Sequence, residues 1–221
     1  MAHRRDVVYG RNAVAEAERG RRRVHRVWRA PEVDAAELTR LAGSPDHQGV
    51  VAEVDPYPYA DAGSLLDARD ALVVALDQVQ DPRNLGAVCR SAEVAGAAGV
   101  VIPARRSAAV TAVTCKASAG AVEHLAVARV PNLAEWLAAA KRADAWVYGA
   151  SAEAPTRYDA IDWDGRVVLV LGGEGKGIRP RVAASCDATI AIPQRGRIGS
   201  LNVSAAASVL LFEAARGAAD A

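Results

Sequence analysis

The chain has 221 residues, 51% of them hydrophobic, a formal net charge of +1 and three cysteines. That supplies a real core without help from disulfides or metal, while the longest apolar runs, ALVVAL at 71–76 and SVLLF at 208–212, fall far short of the roughly 18–20 residues of a membrane span. Cys89, Cys115 and Cys186 are odd in number and form no CxxC pair, and MAHRRDVVYG lacks the apolar core of a secretory signal, so the expectation is a cytoplasmic protein with core-filling thiols, no metal and no membrane partner.

Residues 1–30 hold nine arginines against Asp6, Glu16 and Glu18. Such a face can grip phosphates bidentately, as nucleic-acid-binding surfaces do. Only three of the 27 basic residues are lysines, however, and a general bias toward arginine leaves a plain solvated surface open as well. Hydrophobic periodicity then predicts a helix over 10–20, a strand over 23–28 (RVHRVW), a helix over 34–43 (DAAELTRLAG) and a strand over 49–54 (GVVAEV). DPYPYADAG, with prolines at alternate positions, interrupts any regular element and predicts a linker, with a domain boundary near residue 65.

From residue 71 onward the pattern changes to short continuous apolar runs between helical stretches. Strands are expected at 71–79, 99–103, 124–130, 145–151, 167–172 and 188–193. Helices are expected at 84–97, 108–122, 132–143, 179–186 and 202–216, with Asn132 and Asn202 at helix starts. Near-continuous apolar strands interleaved with helices imply an α/β fold, a parallel sheet with helices on both faces, preceded by a small α+β unit.

Three segments carry polar residues where apolar ones would be expected. LGGEGKGI, 171–178, follows the apolar run VVLVL. It is no P-loop: counting back from Lys176 puts Val170 at the first glycine position, and Gly177 stands where Ser or Thr belongs. It is no dinucleotide fingerprint either, because it follows the fifth expected strand of its domain and not the first. A ligand-binding turn at the carboxyl end of a parallel strand and a tight structural turn both remain open. LDQVQDPRNLGAVCRSAEVAG, 76–96, places Asp81 as a turn residue, Asn84 at a helix start and Arg90 two turns into a helix whose neighbours suggest burial. IPQRGRIGSLNVSAAASVLLFEA, 192–214, gathers Ser200, Asn202 and Ser204 at the mouth of an apolar helix.

The triple DPRNLGAVCRSA, LGGEGKGI and IPQRGRIGSLNVSAAASVLLFEA, in this order and at this spacing over 71–215, resembles the three motifs of the SpoU family of RNA ribose 2′-O-methyltransferases. YGRNAVAEAERG and HQGVVAEV are similar to the substrate-binding domain of members that methylate a guanosine of large-subunit (23S) ribosomal RNA, although the stretch from Arg29 to Asp46 is shorter than usual there. The resemblance implies a C-terminal deep trefoil knot, against the general rarity of knots, a homodimer, and S-adenosyl-L-methionine as cofactor. It implies cofactor contacts at Leu171, Gly172, Gly173, Gly175, Gly177, Ile192, Ile198, Ser200 and Leu201. It implies Arg90 as the central catalytic residue, as base or as phosphate clamp, with Asn84, Glu174, Ser200 and Asn202 positioning it and the ribose. Residues 1–65 would bind RNA, read as ribosomal, through Arg11, Arg21, Arg22 and Arg23, and residues 66–221 would form the catalytic domain. Transfer RNA as substrate, an antibiotic-resistance enzyme acting on ribosomal RNA, and a non-catalytic RNA-binding protein are the competing readings.

Overall fold

The computed structural model describes residues 5–175 and 177–219. A small unit comes first: strand β1 (Asp6–Tyr9), helix α1 (Arg11–Arg19), strand β2 (Val24–Arg29), helix α2 (Ala35–Ala42) and strand β3 (Val50–Val54). The strands pair antiparallel in the order β1-β3-β2. Alternation along β3 sends Val50, Ala52 and Val54 toward one core and Val51 toward another with Tyr9 and Leu38, the period-2 signature of a sheet covered on both faces. β1 was not expected, since four residues beside an arginine run carry little periodicity and owe their extended form to pairing with β3.

Seven parallel strands follow: β4 (Leu72–Asp77), β5 (Gly99–Pro103), β6 (Ala126–Val130), β7 (Ala145–Ala150), β8 (Thr156–Arg157), β9 (Arg166–Gly172) and β10 (Ala188–Ala191). Their spatial order is β6-β5-β4-β9-β7-β10-β8. Helices α3 (Pro82–Val94), α4 (Ala112–Ala117) and α7 (Val203–Ala219) and helices α5 (Leu133–Arg142) and α6 (Pro180–Ala183) complete the chain. β4 shows how the sheet is buried: Val74 and Leu76 pack with Leu85, Val88, Leu210 and Leu211 of α3 and α7. Val73 and Ala75 pack with Leu133, Leu137 and Ala140 of α5 and Val182 of α6. Each fully buried side chain of this size contributes about 1.5–3 kcal/mol.

Two expectations fail locally. The helix over 108–122 breaks into α4 and a 3-10 turn at Ala121–Glu123, because Ala119 and Gly120 take positive φ of 53° and 91°. A Cβ on Gly120 would come within 2.5 Å of Glu16 Cβ, so α1 packs where a continuous helix would have run. Helix α3 starts at Pro82, two residues earlier than expected: Asp81 is the N-cap, its Oδ1 accepting from Arg83 N at 2.8 Å, with Pro82 in the first turn.

The proline-interrupted segment is fastened at several points. Tyr57 is buried and its hydroxyl donates to the carbonyls of Val122 and Leu125 at 3.0 and 3.1 Å. Tyr59 accepts from Val110 N at 2.9 Å, and Ala60 N donates to Val127 O. Among the described residues no helix is long and apolar enough to cross a membrane.

Candidate active site

The carboxyl ends of β4, β9, β7 and β10 form one edge, the usual ligand position in open parallel sheets. β9 runs into the glycine loop, which folds back on itself. Gly173 N donates to Asp77 O at 2.9 Å, and Gly177 N donates to Gly173 O at 3.2 Å. A Cβ on Gly172 would lie 2.0 Å from Gly177 C, and one on Gly173 would lie 2.4 Å from Gln78 O. Gly175 and Gly177 have φ of 76° and 61°, the left-handed region that glycine enters without strain. The turn therefore needs its glycines for structural reasons, and the same backbone is left bare toward the cleft beside it.

A latch that the sequence did not advertise closes this loop. Asp77, fully buried at the end of β4, accepts from Arg179 N and Nε at 2.8 Å each, and Arg179 Nη2 lies 2.7 Å from the same carboxylate. The only sequence signal was an acid closing the apolar run ALVVALD.

The three polar segments meet through side chains. Ser204 N and Oγ donate to Asn202 Oδ1 at 2.9 and 2.6 Å. Asn202 Nδ2 donates to Asn84 Oδ1 at 3.2 Å, and Asn84 Nδ2 donates to Glu174 Oε1. Every donor in this series points toward the Glu174 carboxylate, so the bonds polarise one another in one direction. Because Asp81 caps α3, the Asn84 side chain is free for this role.

The cleft beside this relay has a volume of about 730 Å³. Of the residues expected to hold a cofactor, Leu171, Gly172, Gly173, Gly175, Gly177, Ile192, Ser200 and Leu201 line it, as do Glu174 and Asn202. Ile198 does not: its side chain is 76% exposed and outside the lining. Lys176 lies outside the described residues. Sequence reasoning missed the contribution of β7, whose end and following turn add Ala150 to Glu153 to the lining. The interleaved strand order that brings β7 beside β9 leaves no local signal.

The cleft suits S-adenosyl-L-methionine. Its volume is within the range of about 300–1,000 Å³ of small-molecule pockets. Leu171, Ile190, Ile192 and Leu210 offer an apolar wall for a flat base, and the glycine cradle exposes backbone polar groups that a Cβ would cover.

Arg90 departs from expectation. Its helix buries Leu85, Val88, Cys89 and Ala92, which leaves Arg90 on the outward stripe, exposed and outside the cleft lining. No hydrogen bond or ion pair engages its guanidinium among the described residues. The thiols are held neutral by burial, which pushes Cys89 up to about 12 and Cys115 and Cys186 up to about 11. No group of His, Cys, Asp and Glu able to hold a metal occurs among the described residues.

The N-terminal arginines need correcting too. Arg22 is buried, its guanidinium paired with Glu123, with Nε donating to Oε2 at 3.0 Å. It offers RNA no surface, because a guanidinium taken from water must be paired inside the protein. Arg21 donates to the carbonyls of Glu123 and Leu125 at 3.2 and 2.7 Å, and Arg11 Nε donates to Gln48 O at 3.4 Å. Arg23 alone of these four is exposed without a side-chain hydrogen bond among the described residues.

Comparison with known proteins follows the same division. The model of the SpoU rRNA methylase family matches residues 71–212, and that of the RNA 2′-O ribose methyltransferase substrate-binding domain matches residues 29–60. An uncharacterized tRNA/rRNA methyltransferase of Mycolicibacterium vanbaalenii is 47% identical over 190 residues, 84% of this chain and 60% of that protein. The chain thus spans about three fifths of that relative's length. A Bacillus subtilis protein assigned to the TrmH family of tRNA/rRNA methyltransferases is 36% identical over 98% of this chain and 97% of its own. The crystal structure of an S-adenosylmethionine-bound rRNA methyltransferase from Sinorhizobium meliloti superposes with a TM-score of 0.83 at 26% identity, covering 96% of this chain and 87% of that one.

Proposed function

Because the chain belongs to the SpoU rRNA methylase family, we propose that it transfers a methyl group from S-adenosyl-L-methionine to the 2′-hydroxyl of an RNA ribose, its target being a guanosine of 23S ribosomal RNA. The observation that carries this reading is the relay from Ser204 through Asn202 and Asn84 to Glu174. It sets polar groups from three separate segments at the mouth of a glycine-cradled cleft.

The cofactor, when bound, supplies a methyl group on a positively charged sulfur. The chain supplies alignment, the main requirement of an in-line displacement. Leu171 to Gly177 and Ser200 to Leu201 seat the cofactor. Glu174 and Asn202, each held by Asn84, fix the ribose by hydrogen bonds. Ser200, which lines the cleft and makes no hydrogen bond of its own among the described residues, is free to bond to ligand. Arg90, outside the cleft of its own chain, would clamp a substrate phosphate and orient the 2′-hydroxyl where a second copy brings its cleft alongside; a guanidinium is suited to that task and, being almost always protonated, poorly suited to act as base.

Homodimerisation belongs to the same proposal. Helices α3 and α7, joined by Ser91 and Ser208 at 2.8 Å, leave Val94, Val209 and Phe212 exposed by 63%, 37% and 51%. A second copy seated there would also meet Arg90, which stands on the same outward stripe of α3 and away from its own cleft. The C-terminal knot is a further part of the reading, supported by the insertion of β9 between β4 and β7 and by the return of α7 to α3. Residues 1–65 would hold the RNA, residues 66–221 would carry the chemistry, and the enzyme would work in the cytoplasm beside its substrate.

The test is incubation of the protein and methyl-labelled cofactor with unmodified rRNA and tRNA pools, followed by mapping of the methylated ribose. Label on a guanosine of 23S rRNA is expected. Label on tRNA alone would overturn the substrate, and label on neither would overturn the activity.

A further inference from the structure

Partnering of arginines leaves Arg23 as the unengaged one of the four expected in the small unit, and points to a further phosphate-binding surface outside it. In the small unit, Arg5, Arg19 and Arg29 pair with Glu53, Glu16 and Glu18. Arg22 is sealed with Glu123, Arg21 binds carbonyls, and Arg26 stacks over Trp28 at 5.1 Å. A different set stands exposed with no ion pair or side-chain hydrogen bond among the described residues: Arg83 at the start of α3, Arg105 and Arg106 after β5, and Arg195 and Arg197 after β10. All five occupy the carboxyl edge of the large sheet, on both sides of the cleft. The acids nearest them on the α3 and β9 loops are engaged, Asp81 in capping α3 and Glu174 in the relay.

Arg105 and Arg106 belong to a loop tied to that edge. Ala108 N and Ser107 Oγ donate to Val79 O at 2.8 and 3.3 Å, and Val79 lies between Asp77 and Asp81 on the loop that leads into α3 and its Asn84. Arg106 has φ of 57°, a conformation that a residue with a Cβ adopts at a cost. In the strand order β5-β4-β9-β7-β10, four interstrand steps of about 4.8 Å separate the β5 loop from the β10 loop, or roughly 19 Å.

We propose that the backbone of single-stranded RNA is held along this edge, with Arg83, Arg105 and Arg106 gripping phosphates on one side of the reacting nucleotide and Arg195 and Arg197 on the other. A single strand is the partner that fits. Unpaired positive charge on both sides of a cleft tracks a backbone that passes through it, and the ribose must reach the floor of the cleft free of a rigid duplex. This inference rests on the proposed RNA methyltransfer and adds where the substrate strand runs.

The test measures affinity of the full chain for a short fluorescein-labelled single-stranded RNA between about 50 and 200 mM salt. Each lost phosphate contact on a single strand flattens the plot of log affinity against log salt by about 0.7, so R105A/R106A flattens it by about 1.4 and Arg83→Ala by about 0.7. R105K/R106K keeps the slope. Arg142→Ala, also exposed but at the opposite edge before β7, keeps it as well. Cofactor affinity, unchanged in every variant, verifies the fold, and should R105A/R106A fail to fold, Arg83→Ala and the lysine variant decide the matter. An unchanged slope in R105A/R106A, or a lysine variant as flat as the alanine one, overturns the proposal. Strong salt-dependent RNA binding without methylation of any pool would sink the proposed activity and leave the track standing. Methylation with an unaltered slope would sink only the track.

Discussion

Replacing Arg179 by alanine isolates the latch on the glycine loop. The substitution removes the Nε and Nη2 contacts of 2.8 and 2.7 Å to Asp77 while the backbone contact at 2.8 Å survives. A hydrogen bond to a charged group contributes about 1.5–3 kcal/mol, and the Arg179 side chain is 44% exposed, which favours the lower half of that range. If the loss falls on the ordering of residues 172–179, the fraction of molecules with a formed cradle drops, and the apparent Kd for S-adenosylmethionine rises by about 10-fold to 40-fold, at roughly 1.4 kcal/mol per tenfold. Calorimetric titration measures the Kd, with urea unfolding alongside, because the variant also strands the buried Asp77. The double variant Asp77→Asn/Arg179→Ala removes that stranded charge, so it should recover stability without recovering affinity. A Kd within twofold of wild type in Arg179→Ala would refute the idea that the latch orders the cradle.

Glu123→Ala leaves the Arg22 guanidinium buried without its partner and should cost about 3–5 kcal/mol in urea unfolding. Arg22→Met/Glu123→Leu should cost much less, and equal losses in the two variants would argue against a buried pair. Arg90→Lys keeps the charge and loses the bidentate fork, so labelled-methyl incorporation should fall at least tenfold while cofactor binding is unchanged; near-full turnover would exclude both clamp and base. Cys89 and Cys115 are fully buried, and burial raises their pKa to about 12 and about 11, so in native protein at pH 8 both should resist iodoacetamide, read by peptide mapping; rapid alkylation of either would contradict its core position.

Patterns that depend on neighbours in the chain were legible. Unbroken runs such as VVLVL and GVVIP marked the buried parallel strands, and unusual polarity marked the segments that hold Asn84, Glu174 and Asn202, while only the family resemblance singled those three side chains out. What escaped depends on contacts distant in sequence. Arg22 and Arg23 are identical neighbours in RRRVHR, yet one is sealed against Glu123, 101 residues away, and the other faces water. Arg90 sits among apolar residues in the sequence, but helical geometry turns it outward while its neighbours Val88, Cys89 and Ala92 turn in. Asp77 and Arg179 are 102 residues apart, and only the adjacency of β4 and β9 makes them partners.

The riveting of residues 55–63, by Tyr57, Tyr59 and Ala60, bears on how a nucleotide would be chosen. A flexible tether would let the small unit grasp RNA anywhere within its reach and present many riboses to the cleft at a modest effective concentration. Under the proposed function a fastened one would make the molecule a caliper, with one jaw on the small sheet, the other at Glu174, and a gap held by the tyrosine bonds. Selection of one nucleotide would then be a matter of length along the RNA as much as of base identity, and lengthening or loosening this segment should blur the position of the methyl mark before it abolishes methylation.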